Sequence, residues 1–460
     1  MPLTNVQTRD VEALLHPYTP LHTLRQNGPL VLESGKGIYV TDTQGNEYIE
    51  GMAGLWCAGL GFGDEELIEA ATEQLKRLPY YHLFGGKGFE PAIELAEKLK
   101  AIAPVPIDKV LFCSSGSEAN DTQVKLAWYL NNALGRPEKK KIISRIKGYH
   151  GVTVMSGSLT GLPNNHRDFD LPVDRVLHAD CPHHYRYGEP GESEDDFVQR
   201  LAANLRDLIE REGPETIAAM IAEPIMGAGG VIVPPEGYFA AIQPILDEHE
   251  IMLIDDEVIC GFGRTGNWFG ATTMGMRPTT MSVAKQLTAS YVPLSAVLIP
   301  GWIYEAFEAQ AAKIGTFGHG YTYGGHPLGC AVGVKAIEIY ERRNIVGRVQ
   351  DLAPQFARRL SRLRDHPLVG ETRFKGLVGG IELVADKATK RSFPAQLGVG
   401  GRLARFGEAN RVIIRAIGDT LAVCPPMIIT EDEIDELFDR IERTLDDGEA
   451  WVSRESLRTA

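Results

Sequence analysis

Between Lys109 and Asp256 the chain alternates short apolar runs with segments whose apolar residues recur at helical spacing, and nothing else in the sequence constrains the fold as strongly. K-V-L-F-C-S-S leads into a helix predicted over roughly 117–134, and K-I-I-S-R-I precedes a G-Y-H-G turn. A short strand is predicted near 175–178 and a charged amphipathic helix near 196–211. I-A-A-M-I-A-E, a helix after Gly237 and I-M-L-I-D-D complete the series. Parallel strands need crossovers of a dozen residues or more, and the intervening helices supply them. Strands that are apolar along their whole length are buried on both faces. The expectation is an α/β fold with a mostly parallel sheet covered on both sides.

The flanks read differently. From Pro29 to Ile49 the text is a meander of short strands with Gly-containing turns. Helices are expected from Glu65 to Leu78 and around Ile93–Leu99. After Pro327 a long helix and a charged helix lead to short strands near 376–383, 412–415 and 421–423. An amphipathic helix over 432–445 closes the chain, with the last dozen residues expected to fray. This suggests a smaller α+β domain made from segments 1–60 and 327–460, around a large domain over 61–326. The uncharged stretch from Gln286 to Tyr304 is interrupted by Pro293, Pro300 and Gly301, so a buried strand with turns is expected rather than a membrane span.

A formal charge of −14 argues against a nucleic-acid or anionic-membrane partner. Six cysteines without C-x-x-C spacing fit reduced thiols, and the N-terminus carries no apolar h-region. A cytoplasmic protein is the expectation.

Two residues carry most of the chemistry. Lys285 lies in M-S-V-A-K-Q-L, and Asp256 closes an apolar strand. An amine and a carboxylate at buried strand ends are what pyridoxal phosphate needs. The amine condenses with its aldehyde, and the carboxylate keeps its pyridine nitrogen protonated. Asp255 and Asp256 should point to opposite faces, with Val258 sharing the face of Asp256; D-D-E could equally be a solvated strand end. S-S-G-S-E-A-N-D at 114–121 follows a strand and opens a helix. Ser115 and Glu118 have capping-box spacing, compatible with a plain capped helix or a phosphate cradle. In K-G-Y-H-G, Tyr149 is a stacking aromatic or a half-buried loop tyrosine, and His150 is a loop histidine that fixes geometry. C-P-H-H-Y at 181–185 reads as a surface turn, not a metal site.

Taken in order, S-G-S-E-A-N, K-G-Y-H-G, A-E-P-I-M-G-A-G-G, D-E-V-I-C-G-F-G-R-T-G, A-K-Q-L-T and H-G-Y-T-Y-G-G-H-P resemble the class III (ω-) aminotransferases. The resemblance runs from about Pro29 to Leu445. It implies pyridoxal-phosphate fold type I, with a seven-stranded sheet in the large domain. It also implies a homodimer or tetramer with active sites at the subunit interface. By it, Lys285 is the residue that binds the cofactor covalently and Asp256 pairs with the pyridine nitrogen. Val258 and Tyr149 would sandwich the ring, and Glu223 would lie at its edge. Gly116 and Ser117 would bind the phosphate, joined by Thr322 of a second subunit. Gln286 and Gly324 depart from the family's usual Gly and Ser.

The segment G-M-A-G-L-W-C-A-G-L-G-F-G resembles the pocket lining of amine:pyruvate aminotransferases, which suggests Leu55 and Trp56 as walls, with Phe84 from the neighbouring subunit. Trp56 could equally be a core residue. Arg415 matches the mobile arginine that holds a keto-acid carboxylate, against a plain surface ion pair. The implied activity moves an amino group from an ω-amine to a keto acid, pyruvate foremost, by a ping-pong cycle. An aminomutase, a decarboxylase, or transfer from an amino acid to 2-oxoglutarate are the alternatives.

Overall fold

The computed structural model describes residues 3–459. Met1 and Pro2, at the start of the polar N-terminus, and Ala460, at the end of the tail expected to fray, lie outside the described residues. The meander forms β1 (Leu32–Lys36), β2 (Tyr39–Asp42) and β3 (Glu47–Glu50). Seven strands then build the central sheet: β4 (Lys109–Cys113), β5 (Lys141–Arg145), β6 (Val176–Ala179), β7 (Ile217–Ala222), β8 (Met252–Asp256), β9 (Thr280–Val283) and β10 (Ser295–Ile299). Their spatial order is β4-β10-β9-β8-β7-β5-β6. From β6 to β9 every neighbour is parallel, and β10 runs antiparallel between β9 and β4.

Every residue of β7, β8, β9 and β10 is buried, which accounts for their largely apolar text. One face packs on Phe197, Leu201 and Leu205 of the helix Glu194–Glu212 and on Phe239 and Ile242 of the helix Tyr238–Glu248. The other packs on Val124, Ala127 and Leu130 of the helix Gly116–Ala133. Successive side chains of β8 divide between these layers: Leu253 joins the first, Met252 and Ile254 the second.

The C-terminal strands are β11 (Val369–Lys375), β12 (Val378–Leu383), β13 (Val412–Ile413), β14 (Arg415–Ile417) and β15 (Thr420–Val423). The single strand expected near 412–415 splits at Ile414. β13 pairs parallel with β3, Val412 opposite Ile49, whereas β14 joins the sheet β11-β12-β15-β14. One short run thus serves two sheets, and Arg415 opens the second part.

One further expectation is corrected, and one helix was not anticipated. The closing helix runs from Glu431 to Arg454, capped by Thr430 and Glu433, and fully buried Val452 anchors the region expected to fray. The helix Val399–Ala409 was hidden by its glycines, which serve packing. A Cβ on Gly400 would sit 2.1 Å from the Gly418 carbonyl oxygen. In the uncharged stretch, buried β10 is followed by the helix Gly301–Ile314; among the described residues no helix is long and apolar enough to cross a membrane.

Glu50, at the end of β3, is 3% exposed, and its carboxylate accepts the N–H groups of Gly54 and Met52. It braces a turn in which Ala53, Gly54 and Trp56 all take positive φ, a costly conformation for the two non-glycine residues. Burial pushes its carboxyl up to about 7. The folded state therefore binds this proton more tightly than the unfolded chain. The resulting stability is complete below the unfolded value near 4.5 and is lost as pH rises through about 7. Between pH 5 and pH 8, denaturant titrations should show the parent losing on the order of 3 kcal/mol more stability than Glu50→Gln. An identical pH dependence in the variant would contradict this.

Candidate active site

The carboxyl ends of β4, β5, β7, β8 and β9 open onto one cavity of about 390 Å³. This is where ligands sit in open α/β sheets. Gly116, Ser117, Tyr149, Glu223, Asp256, Val258 and Lys285 all line it.

Lys285 follows β9 directly and starts a 3₁₀ turn with φ +48°. Among the described residues no hydrogen bond or ion pair engages its amine. Burial pulls the amine's pKa below the ordinary lysine value, opposed by the Asp256 carboxylate. An unpartnered interior amine whose charged form burial disfavours can serve as nucleophile and base.

Asp256 is held from three sides. Its Oδ2 accepts the Asn120 side-chain amide at 2.7 Å and lies 2.8 Å from His150 Nδ1, and its Oδ1 accepts the Val258 N–H at 3.2 Å. Asn120 also donates to the His150 carbonyl at 2.8 Å, tying the two holders together. Asn120 escaped the sequence reading although it lies within S-G-S-E-A-N, one helical turn beyond Gly116. His150 was read only as a loop histidine; its buried pairing with Asp256 is a tertiary contact.

The D-D-E strand end is not solvated, since Asp255, Asp256 and Glu257 are all buried. Asp255 turns away from the cavity, as strand alternation requires. Burial and the neighbouring Glu257 hold its carboxyl well above the usual carboxylate range. Glu257, pushed up to about 7 by burial, accepts the N–H groups of Gly270 at 2.9 Å and Ala271 at 2.6 Å.

Glu223 clamps the cavity rim. Its two oxygens accept the N–H groups of Tyr149 and Gly227, each at 2.9 Å, and burial raises its pKa. Tyr149 is raised by burial and by the adjacent phenol of Tyr18. Tyr18 has no sequence signal. It reaches the site from the N-terminal arm, where its hydroxyl accepts the Asn165 amide at 2.5 Å.

Ser115 caps the helix Gly116–Ala133 by accepting the Glu118 N–H at 3.2 Å. The Glu118 carboxylate returns to the N–H of Ser114, at 2.7 Å, instead of to the cap residue. The positive end of an 18-residue helix therefore faces the cavity. A Cβ on Gly116 would approach the Val258 methyls at 3.2 and 3.3 Å. Ser117 Oγ accepts the Val152 N–H at 3.1 Å.

These residues fit pyridoxal phosphate. The helix terminus with Ser117 provides a phosphate cradle. Asp256 Oδ1 keeps capacity for a second donor, as a pyridinium N–H would be. Lys285 supplies the unpartnered amine.

The remaining predicted residues lie elsewhere. Trp56 is 1% exposed and packs with Met52, Ile225, Val231 and Ile259, so the structure places it in the core behind the cavity lining. Leu55 beside it is 51% exposed. Phe84 and Thr322 do not line this chain's cavity. Phe84 lies over Gly320, where a Cβ would come within 2.6 Å of its ring, and the Thr322 carbonyl accepts the Tyr80 hydroxyl at 2.9 Å. Both belong to one exposed surface with Tyr80 and Tyr323, whose rings are 6.0 Å apart. Arg415 is half-buried beside Tyr149 and Tyr18, with burial lowering its pKa, and no carboxylate among the described residues pairs with it.

The two departures from the family pattern have local causes. Gln286 is buried, and a Cβ on Gly59 would meet its Oε1 at 2.1 Å, so Gly59 makes room for the longer side chain. A side chain at Gly324 would press a Cβ to 2.6 Å from the Phe112 carbonyl oxygen.

A family model described as aminotransferase class-III matches residues 23–445. Gamma aminobutyrate transaminase 1, mitochondrial, of Solanum lycopersicum is 47% identical over 426 residues, covering 92% of this chain and 83% of its own. The omega transaminase of Pseudomonas jessenii in complex with PMP superposes with a TM-score of 0.96 at 50% identity, covering 98% of this chain and 99% of that one. A PMP-bound aminotransferase of Vibrio fluvialis gives 0.95 at 42% identity, covering 98% and 99%.

Proposed function

This chain belongs to the class III aminotransferases, enzymes of pyridoxal-phosphate fold type I, and we propose that it moves the amino group of an ω-amine to pyruvate. When bound, pyridoxal phosphate supplies an electron sink for the carbon that loses its proton. The protein's own residues do the rest. The helix terminus at Gly116 and Ser117 would hold the phosphate, Tyr149 and Val258 would hold the ring, and Asp256 would accept the N–H of the protonated pyridine nitrogen. Lys285 takes a proton from the donor carbon and later returns one, acting as base and then acid. Amine and keto acid use the same cavity in turn, which gives ping-pong kinetics.

The observation that carries the substrate reading is Arg415, a half-buried guanidinium with no carboxylate partner among the described residues, beside Tyr149 of a cavity that Val258, Ile259, Val292 and Leu294 also line. An apolar wall accepts an unfunctionalised amine substituent, and the guanidinium fork accepts a keto-acid carboxylate. Arg415→Ala should weaken keto-acid binding by ~1.5–3 kcal/mol and spare an apolar amine. Equal losses for both substrates would contradict the assignment. A second reading has a γ-amino acid as donor, favoured by the likeness to a gamma aminobutyrate transaminase. Initial rates with 1-phenylethylamine, putrescine and 4-aminobutyrate, each against pyruvate and 2-oxoglutarate, separate the two.

We further propose that a second copy covers the surface of Tyr80, Phe84, Thr322 and Tyr323, bringing Phe84 and Thr322 to its partner's cavity. Exposed aromatic side chains clustered on one surface support this. Sedimentation should find a dimer or tetramer at micromolar concentration; a monomer would contradict it.

A further inference from the structure

C-P-H-H-Y was expected to be a surface turn, yet His183 is buried at the centre of an ion cluster. Its Nε2 lies 2.9 Å from Glu371 Oε2 and 3.9 Å from Glu382 Oε2. Arg186 pairs with the other oxygen of Glu382. His183, Glu371 and Glu382 have ligand atoms close enough to hold a metal ion. However, Arg373 Nη1 already lies 2.5 Å from both carboxylate oxygens, so a metal ion would have to displace a guanidinium. Two arginines and two glutamates balance formally; against burial, His183 and then Arg373 pull the Glu371 carboxyl, and Arg373 and then Arg186 the Glu382 carboxyl, below the usual range. The cluster serves to fix Arg373.

The rest of that guanidinium points out of the cluster at two segments that lead to Tyr149 and to Arg415. Nε donates to the carbonyls of Gly230 at 3.0 Å and Val231 at 3.1 Å. Nη2 donates to Gly230 at 2.5 Å and to Thr420 Oγ1 at 3.3 Å. Gly230 has φ +123°, and a Cβ there would lie 3.2 Å from Nη2, so only glycine allows this approach without adjustment. On one side, the Gly230 N–H bonds the Gly227 carbonyl, and Gly227 donates to Glu223, which holds Tyr149. On the other, Thr420 opens β15, whose Ala422 lies opposite Arg415 of β14.

We propose that Arg373 is a positioning residue for Arg415. It bolts the hairpin carrying that guanidinium to the loop beneath Tyr149, and so sets the reach of Arg415 over the cavity. The inference rests on the reading of Arg415 as the keto-acid clamp.

Arg373→Lys keeps a cation for Glu371 and Glu382 but cannot span Gly230 and Thr420 together. Thr420→Val, which removes one contact only, serves as the second variant should Arg373→Lys fail to fold. The holoenzyme variants should show a rise in pyruvate KM, about fivefold or more for Arg373→Lys and about twofold for Thr420→Val. The KM for 1-phenylethylamine and the rate of the amine half-reaction should stay within about twofold. Calorimetric binding of propionate, an unreactive monocarboxylate, should weaken in parallel. Equal changes for amine and pyruvate, or unchanged propionate binding, would overturn the proposal. Arg415→Ala is measured alongside. If it leaves pyruvate KM unchanged, the clamp reading and this proposal fall together. If it raises KM while both other variants do not, the positioning role alone is refuted.

Discussion

Lys285→Ala lowers steady-state transamination by at least about 10⁴-fold, because one side chain supplies both the nucleophile and the proton carrier. Among the described residues no second amine lines the cavity, and the two carboxylates that do are already committed. Asp256 is held by Asn120, His150 and Val258, and Glu223 by Tyr149 and Gly227. Ser117, Tyr149 and the helix terminus at Gly116 are untouched, so the variant should still bind pyridoxal phosphate, now without a covalent link. Rapid mixing of the reconstituted variant with 1-phenylethylamine, followed by product analysis, checks both parts. Turnover within about 100-fold of the parent would refute the assignment of the proton transfer to Lys285.

Asp256→Asn should cost about 10²–10³-fold in each half-reaction, the scale for removing a preorganised electrostatic group from a buried site. Asparagine matches the carboxylate in shape but accepts through one atom only, so either the Val258 N–H or the Asn120 amide loses its acceptor, and the loss reports charge and holding together rather than a cavity. His150→Ala and Asn120→Ala leave the carboxylate in place and only loosen it, so each should lose about tenfold. Single-turnover rates for amine and keto acid, measured separately, should fall by similar factors in Asp256→Asn, since both directions need the same protonated ring nitrogen. A loss below about tenfold, or one confined to a single half-reaction, would place the function of Asp256 elsewhere.

The parts legible in the sequence share a physical reason. Asp256, Glu223 and Lys285 each follow a run of strand residues, and strand periodicity with the strand-end rule determines where such side chains emerge. The mostly parallel sheet was legible because its crossover helices lie between the strands in sequence. What was missed depends on contacts between distant segments. Tyr18 meets Tyr149 only after the N-terminal arm crosses the site, and His183 meets Glu371 across 188 positions. Gly400 and Gly407 obscured the helix Val399–Ala409 because their role is close packing against Gly418 and Val412, which overrides helix propensity. The division of Val412–Ile417 between two sheets at Ile414 is a matter of pairing partners, which local composition does not encode.

The account turns on a carbon–nitrogen bond between the Lys285 side chain and the cofactor aldehyde. Borohydride reduction of the protein reconstituted with pyridoxal phosphate, followed by proteolysis and peptide mass analysis, should place a stable pyridoxyl group on Lys285 in stoichiometric yield. A label on another lysine, or none on a protein that still transaminates, would contradict it.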